Sequence, residues 1–316
     1  MANDSKLSND KGEFIRATSS FRNWVKADGS SPFPAEKNRY HLYVSLSCPW
    51  AHRTLITRKL KGLENIITVD IVDWLRTSAG WRFSPEKPGC TADTVNGKEY
   101  VEEIYKLADP LYTGRVTIPI LYDKIAKTIV NNESSEIIRI LNSEFNALCA
   151  TSQQRDLDLY PQEVRQEINA LNGWIYSQIN NGVYRAGFAT TQEAYDNAVD
   201  DVFDGLNKVE AILSKRRYLT GDQITEADIR IFPSLVRFDT VYVQHFKCNI
   251  RRIIDYPNIW GYLRDLYQIP EFGSTVHMEH IKKSYMMSME NINPNGVVAK
   301  GPEIDFNTYH GRDKLY

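Results

Sequence analysis

Tyr40-His41-Leu42-Tyr43-Val44-Ser45-Leu46 is rich in β-branched, aromatic and aliphatic side chains and predicts a strand. Pro49 then suits the first turn of a helix, which Thr54-Leu55-Ile56-Thr57-Arg58-Lys59-Leu60 carries to an end near Gly62. Ile66-Ile67-Thr68-Val69-Asp70-Ile71-Val72 predicts a buried parallel strand, completing a strand-helix-strand unit. Residues 73–115 show no sustained period and contain Gly80, Pro85, Pro88, Gly89 and Gly97, so they predict a long connection of the lid or binding-loop kind. Two short apolar strands follow, Val116–Tyr122 and Thr128–Asn131, separated by Asp123-Lys124. Pro119 lies inside the first; it cannot donate to a ladder, which implies an edge, a bulge or a cis bond and leaves the isomer open. Asn132–Leu141 opens a helix with acidic and hydroxyl residues in its first turn.

From residue 151 the period becomes helical. Val164, Ile168, Leu171, Ile175 and Ile179 form one apolar stripe, and Tyr195, Val199, Val202, Leu206, Val209 and Leu213 another. Residues 180–188 between them read as a glycine-punctuated link. Thr225 and Asp228 make a capping box, with Asp in the usual Glu or Gln place, and are assigned to folding. Further helices are expected over Tyr256–Tyr267 and Val276–Tyr285, then an irregular tail. The organisation is an arm over 1–39, an α/β domain over 40–145 with the insertion 73–115, an all-helical domain over 151–285 and a tail over 286–316.

With 316 residues, 42% hydrophobic and 25% charged, the chain has enough material for two well-filled cores. Its 38 basic and 40 acidic residues leave a net charge of −2, so nucleic acid and anionic membrane are discounted as partners. Cys48, Cys90, Cys149 and Cys248 are widely spaced, without zinc-like pairing, which fits a reducing compartment and puts the protein in the cytoplasm. Met1–Lys6 lacks the apolar core of a secretory signal, no run reaches the ~18 apolar residues of a membrane span, and Lys314-Leu315-Tyr316 is not a peroxisomal tripeptide.

Cys48 sits where a strand hands over to a helix. Unpaired N–H groups and the helix dipole favour a thiolate there, and Arg53 adds a cation about one turn in. Such settings lower a cysteine pKa from ~8.5 to roughly 3.5–7.5. A lone cysteine is often just a small buried apolar residue, but this context points to a reactive thiol. A dithiol motif would place a second cysteine three residues on, where this chain has Ala51, so any disulfide on Cys48 must be released by an external thiol. His277 and His280 stand one helical turn apart without a third ligand at telling spacing, and are read as structural or surface residues; no metal is expected.

Ser47-Cys48-Pro49-Trp50-Ala51-His52-Arg53 resembles the active-site signature of glutathione transferases with a catalytic cysteine, specifically the glutathionyl-hydroquinone reductases of the Xi class. The resemblance extends in order through Gly80-Trp81-Arg82-Phe83, Arg115-Val116-Thr117-Ile118-Pro119, Val130-Asn131-Asn132-Glu133-Ser134-Ser135-Glu136, Asn181-Gly182-Val183-Tyr184 and Val241-Tyr242-Val243-Gln244-His245-Phe246-Lys247. Ile118 stands where valine is usual, a conservative change for a backbone contact, and residues 84–110 carry nothing over.

The resemblance implies an α/β, thioredoxin-like N-terminal domain followed by an all-helical (all-α) glutathione-transferase domain. It makes Cys48 the nucleophile and glutathione the cosubstrate, held by Trp81, Arg115, Val116, Thr117, Ile118, Glu133 and Ser134. Ile118 would pair main chain to main chain with the cysteinyl part, and Glu133 and Ser134 would hold the γ-glutamyl end. Tyr184 would exchange a proton with the aromatic substrate, while Tyr242 and Tyr285 would lower the thiol pKa by hydrogen bonding to the thiolate. The implied substrates are glutathionylated hydroquinones, and the implied assembly is a homodimer. An omega-like thiol transferase or dehydroascorbate reductase would use Cys48 without the tyrosine set. A tyrosine- or serine-type conjugating enzyme fits the cysteine poorly. A non-catalytic binding module would keep the fold and bind glutathione without turnover.

Overall fold

The computed structural model describes residues 8–315. Strand β1 (Tyr40–Val44) is buried along its whole length and pairs in parallel with β2 (Thr68–Ile71). On its other side it runs antiparallel to β3 (Ile120–Asp123), which pairs antiparallel with β4 (Thr128–Asn131), giving the order β2-β1-β3-β4. A parallel pair needs a crossover, and α1 (Pro49–Leu60) supplies it. Helix α1 packs on α3 (Ser134–Ser143). Pro119 immediately precedes β3, in a cis peptide bond with Ile118, so no ladder bond is asked of it. The free edge of β4 is covered by the chain at 21–23: Asn23 N–H donates to Val130 O at 2.9 Å and Asn132 N–H to Phe21 O at 3.0 Å.

The insertion at 73–115 is not the loop its glycines and prolines suggested. It contains α2 (Val101–Ala108), whose buried Val101, Ile104 and Tyr105 follow helical spacing. Glu103 reaches back to accept from the N–H of Tyr100 at 3.0 Å. Buried carboxylates fasten the rest: Asp70 accepts from Thr94 N–H at 2.7 Å, Asp73 from Ser84 Oγ at 3.0 Å, and Asp93 from the Tyr43 hydroxyl at 2.8 Å. Each ties loop backbone or side chain to a strand or strand end.

The chain divides into two compact units. The first joins residues 17–158, including α4 (Ser152–Asp156), with residues 277–284; the second joins residues 8–16, 159–276 and 285–315 of the described chain. The expected arm over 1–39 is therefore shared between them. Residues 17 onward follow the sheet because they line β4, whereas residues 8–16 follow the helices because Thr190 and Thr191 grip Lys11 and Gly12. Residues 277–284 join the first unit through His280, whose Nε2 donates to Pro88 O at 2.9 Å.

The second unit contains α5 (Arg165–Ile175), α6 (Gly182–Gly187), α7 (Gln192–Leu213), α8 (Glu226–Arg237), α9 (Val243–His245), α10 (Pro257–Gln268) and α11 (Pro270–Gly273). A last helix, α12 (Met278–Ser288), continues from the first unit into the second. Helix α6 replaces the link expected at 180–188. Its glycines serve close packing rather than freedom: a Cβ at Gly187 would fall 2.2 Å from the Phe246 ring. Thr225 caps α8 as expected, and Asp228 also accepts from Leu219 N–H at 3.0 Å and from the Tyr262 hydroxyl at 2.7 Å. Arg312 closes the C-terminal end of α7, donating to the carbonyls of Leu213, Arg216, Arg217 and Asn258.

Candidate active site

Cys48 is the N-cap residue of α1, as the strand-to-helix pattern required. Its N–H donates to Ser45 O at 3.1 Å, and its Sγ lies 3.5 Å from the carbonyl oxygen of Ile118, on the loop that carries the cis bond. Thiol and loop backbone are thus adjacent, the arrangement expected of a sulfur that works beside an extended peptide. Ala51, three residues on, is fully buried, and all four cysteines are free.

Arg53 does something the sequence did not disclose. It is almost completely buried, lies with its guanidinium 4.5 Å from the centre of the Trp50 ring, and approaches Ser134 Oγ at 3.4 Å. It therefore ties the start of α1 to the start of α3. Glu133, the N-cap of α3, accepts from Ser135 N–H at 3.0 Å, from Ser135 Oγ at 2.8 Å and from Ser19 Oγ at 3.0 Å. Burial alone would raise its pKa, but the Ser135 and Ser19 donors and the charge of Arg53 outweigh it and hold the carboxyl below its usual range. The result is a fixed carboxylate at a helix N-terminus, beside a buried Ser134.

The loop from Arg115 to Ile118 is held from the insertion. The Tyr105 hydroxyl of α2 donates to Thr117 O at 2.9 Å and accepts from Thr117 N–H at 3.2 Å and from Asn132 Nδ2 at 2.9 Å. Sequence reading missed Tyr105 and Asn132 as supports; the apolar spacing of α2 was the available signal. Arg115 is exposed, Val116 and Thr117 are half-buried, and Ile118 is buried. Trp81 packs partly buried against the core of the first unit, with its carbonyl accepting from Val101 N–H at 3.0 Å.

The three tyrosines singled out by sequence come together in the second unit. Tyr285 sits in the middle, its hydroxyl 2.5 Å from that of Tyr184 and 3.1 Å from that of Tyr242. Burial, followed by the charge of Tyr184, pushes Tyr242 and Tyr285 well above the ordinary phenol range. Phe246 stacks on Tyr242 at 5.4 Å and Phe188 lies parallel to Tyr184 at 6.4 Å, so the hydroxyl row has aromatic walls.

His245 packs on Phe246, and its buried Nε2 has no hydrogen-bond partner among the described residues. Burial lowers its pKa to about 4, with the charge of Lys247 adding to the effect. Between pH 6.5 and about 4 the unfolded chain binds a proton that the folded chain refuses, so stability is complete above the upper value and declines as pH falls through this window. A urea series at several pH values should show that slope in the native protein and a shallower one in His245→Gln. His277 and His280, with ring centres 6.2 Å apart, form no metal-holding group of three or more such residues among the described residues.

Residues 47–144 match the model of the glutathione S-transferase N-terminal domain, and residues 192–265 that of the glutathione S-transferase C-terminal domain. The glutathionyl-hydroquinone reductase YqjG of Escherichia coli K12 is 54% identical over 308 residues, 96% of this chain and 93% of that protein. Its glutathione-bound structure aligns with a TM-score of 0.90 over 93% of this chain and 96% of that one. The glutathionyl-hydroquinone reductase PcpF of Sphingobium chlorophenolicum is 49% identical, covering 92% of this chain and 90% of that protein. An Xi-class transferase from Natrialba magadii is 50% identical, with a TM-score of 0.91 over 95% of this chain and 90% of that one.

Proposed function

This chain belongs to the glutathione transferases, within the glutathionyl-hydroquinone reductases of the Xi class, and on that premise we propose how its residues carry out the reaction. It is a glutathione-dependent enzyme that reduces S-glutathionyl-hydroquinones to hydroquinones. The observation that carries the reading beyond a general thiol transferase is the Tyr184–Tyr285–Tyr242 hydroxyl row, since disulfide exchange alone has no use for three phenols.

The glutathionyl part of the substrate lies along the 115–118 backbone. Its α-carboxylate meets the N-terminus of α3 at Ser134, where the helix dipole favours an anion, and its ammonium meets the Glu133 carboxylate. Trp81 and Arg115 complete that contact. The hydroquinone ring lies among the tyrosines. Cys48, its thiolate favoured by the helix N-terminus, attacks the glutathionyl sulfur. The sulfur–carbon bond breaks, its electron pair goes to the ring carbon, and Tyr184 supplies the proton that makes the new C–H bond. The free hydroquinone leaves, and Cys48 remains as a mixed disulfide with glutathione. A second glutathione thiolate then attacks the glutathione sulfur of that disulfide, releasing oxidised glutathione and restoring the Cys48 thiolate. Tyr242 and Tyr285 assist through the hydroxyl row they form with Tyr184. The free state of all four cysteines supports a cytoplasmic setting, and a homodimer is carried over from the family.

The deciding assay gives the purified protein glutathionyl-menadiol with excess glutathione and follows menadiol. Release establishes quinone chemistry; robust reduction of small disulfides without release would point to the omega-like reading, and neither activity to a binding module. Tyr184→Phe is expected to slow menadiol release about 100-fold while changing disulfide reduction by less than about threefold. Equal losses in the two assays would count against its proton role.

A further inference from the structure

Residues 8–16 end in a built contact with Tyr184. Asn9 starts a tight turn in which its Oδ1 accepts from the N–H groups of Lys11 and Glu13, both at 3.0 Å. Gly12, at φ +81°, closes the turn against the start of α7. A Cβ there would lie 2.8 Å from the side chains of Thr190 and Thr191. Thr190 N–H donates to Gly12 O at 3.1 Å and Thr191 Oγ1 to Lys11 O at 2.9 Å. From this anchor the buried Phe14 stacks on Phe188 at 5.3 Å and on Tyr184 at 6.4 Å.

Arg16 lies with its guanidinium 5.0 Å from the centre of the Tyr184 ring and 5.3 Å from that of Phe14. Its Nε donates to Asn181 Oδ1 at 2.7 Å, and Asn181 is the N-cap of α6, the helix that carries Tyr184. One side chain therefore touches both the ring and the residue that sets the ring's place on its helix.

We propose that Arg16 is a positioning residue of this enzyme: held over the Tyr184 ring by the anchored segment 8–16, it stabilises the phenolate and so makes Tyr184 the proton donor of the three tyrosines. The inference deepens the functional reading above and rests on it for the substrate. When Tyr184 gives its proton to the ring carbon, negative charge appears on the phenolic oxygen, and a cation fixed over the ring favours that product. Water then restores the proton.

The other groups around Tyr184 agree. Tyr285 of α12 and Tyr242 of the turn after α8 are neutral phenols, and Phe188 and Phe246 are uncharged. Arg237, at the end of α8, acts on Tyr242 and Tyr285, and its influence there is smaller than that of burial and of the Tyr184 charge. His245, against Tyr285, is neutral above about pH 4. Arg16 thus brings a cation into direct contact with the Tyr184 ring.

The test is an ultraviolet titration of tyrosinate in the native protein, with Tyr184→Phe subtracted to isolate one phenol. In Arg16→Gln that phenol is expected to ionise about one pH unit higher, and in Arg16→Lys at an intermediate pH. The alkaline limb of menadiol release should rise by the same interval, with turnover at its optimum down about tenfold. An unmoved titration in Arg16→Gln would overturn the proposal, as would equal losses of menadiol release and disulfide reduction with the limb in place. Failure of the native enzyme to release menadiol would sink the substrate assignment instead, and the titration would still decide the part played by Arg16.

Discussion

Cys48→Ser is expected to abolish menadiol release and disulfide reduction together, by a factor on the order of 10⁴ or more. A serine hydroxyl at the same N-cap keeps the bond geometry and loses the nucleophile, because the dipole of one helix cannot ionise an alcohol near neutral pH. The position where a resolving cysteine would stand, 51, is a buried alanine. The variant should also fail to gain mass as a glutathione adduct when oxidised glutathione is added, which separates lost chemistry from lost binding. Turnover within tenfold of the native rate would mean that another atom attacks the glutathionyl sulfur.

The second large effect is on stability. Asp228→Ala is expected to cost about 3–5 kcal/mol, read as a shift in the urea or thermal midpoint. The carboxylate is wholly buried and accepts from the N–H groups of Leu219 and Thr225, from Thr225 Oγ1 and from the Tyr262 hydroxyl. Burial pushes its pKa up, and those four donors pull back only part of the rise. Removing the acceptor strands several buried donors at once, each worth about 1–3 kcal/mol when left unpaired. Asp228→Asn retains one acceptor oxygen and should lose less. A loss below about 1 kcal/mol in the alanine variant would show that α8 is held by packing rather than by its cap.

The N-terminal half of the fold was legible because its pattern is local. A run of apolar strand residues, then Pro49, then a second apolar strand leaves few alternatives, and β4 was read at its observed ends. Helix α2 was missed although Val101, Ile104, Tyr105 and Ala108 carry its period, because it is short and surrounded by turn residues. Helix α6 was missed for the opposite reason. Gly182 and Gly187 normally break helices, and only the closeness of Val202 and Phe246 explains them. At the candidate site, the positions of Cys48, Glu133 and Ser134 at helix starts were legible in the sequence and are observed. The partner of Arg53 was not, since Ser134 is 81 residues away and lies within its reach only when α1 meets α3. The patch Phe14-Ile15-Arg16 stands out in the polar arm as a docking element, but nothing in it points to an aromatic ring 168 positions later.

Arg312 closes a helix made long before it. Its bond to Leu213 spans 99 residues. The carbonyls of Glu210, Ala211 and Ile212 find local donors in Ser214 and Lys215, but a ribosome finishes α7 well before the guanidinium that will serve the carbonyl of Leu213 has been translated. The nascent helical unit thus completes its closure late in synthesis, when residue 312 emerges.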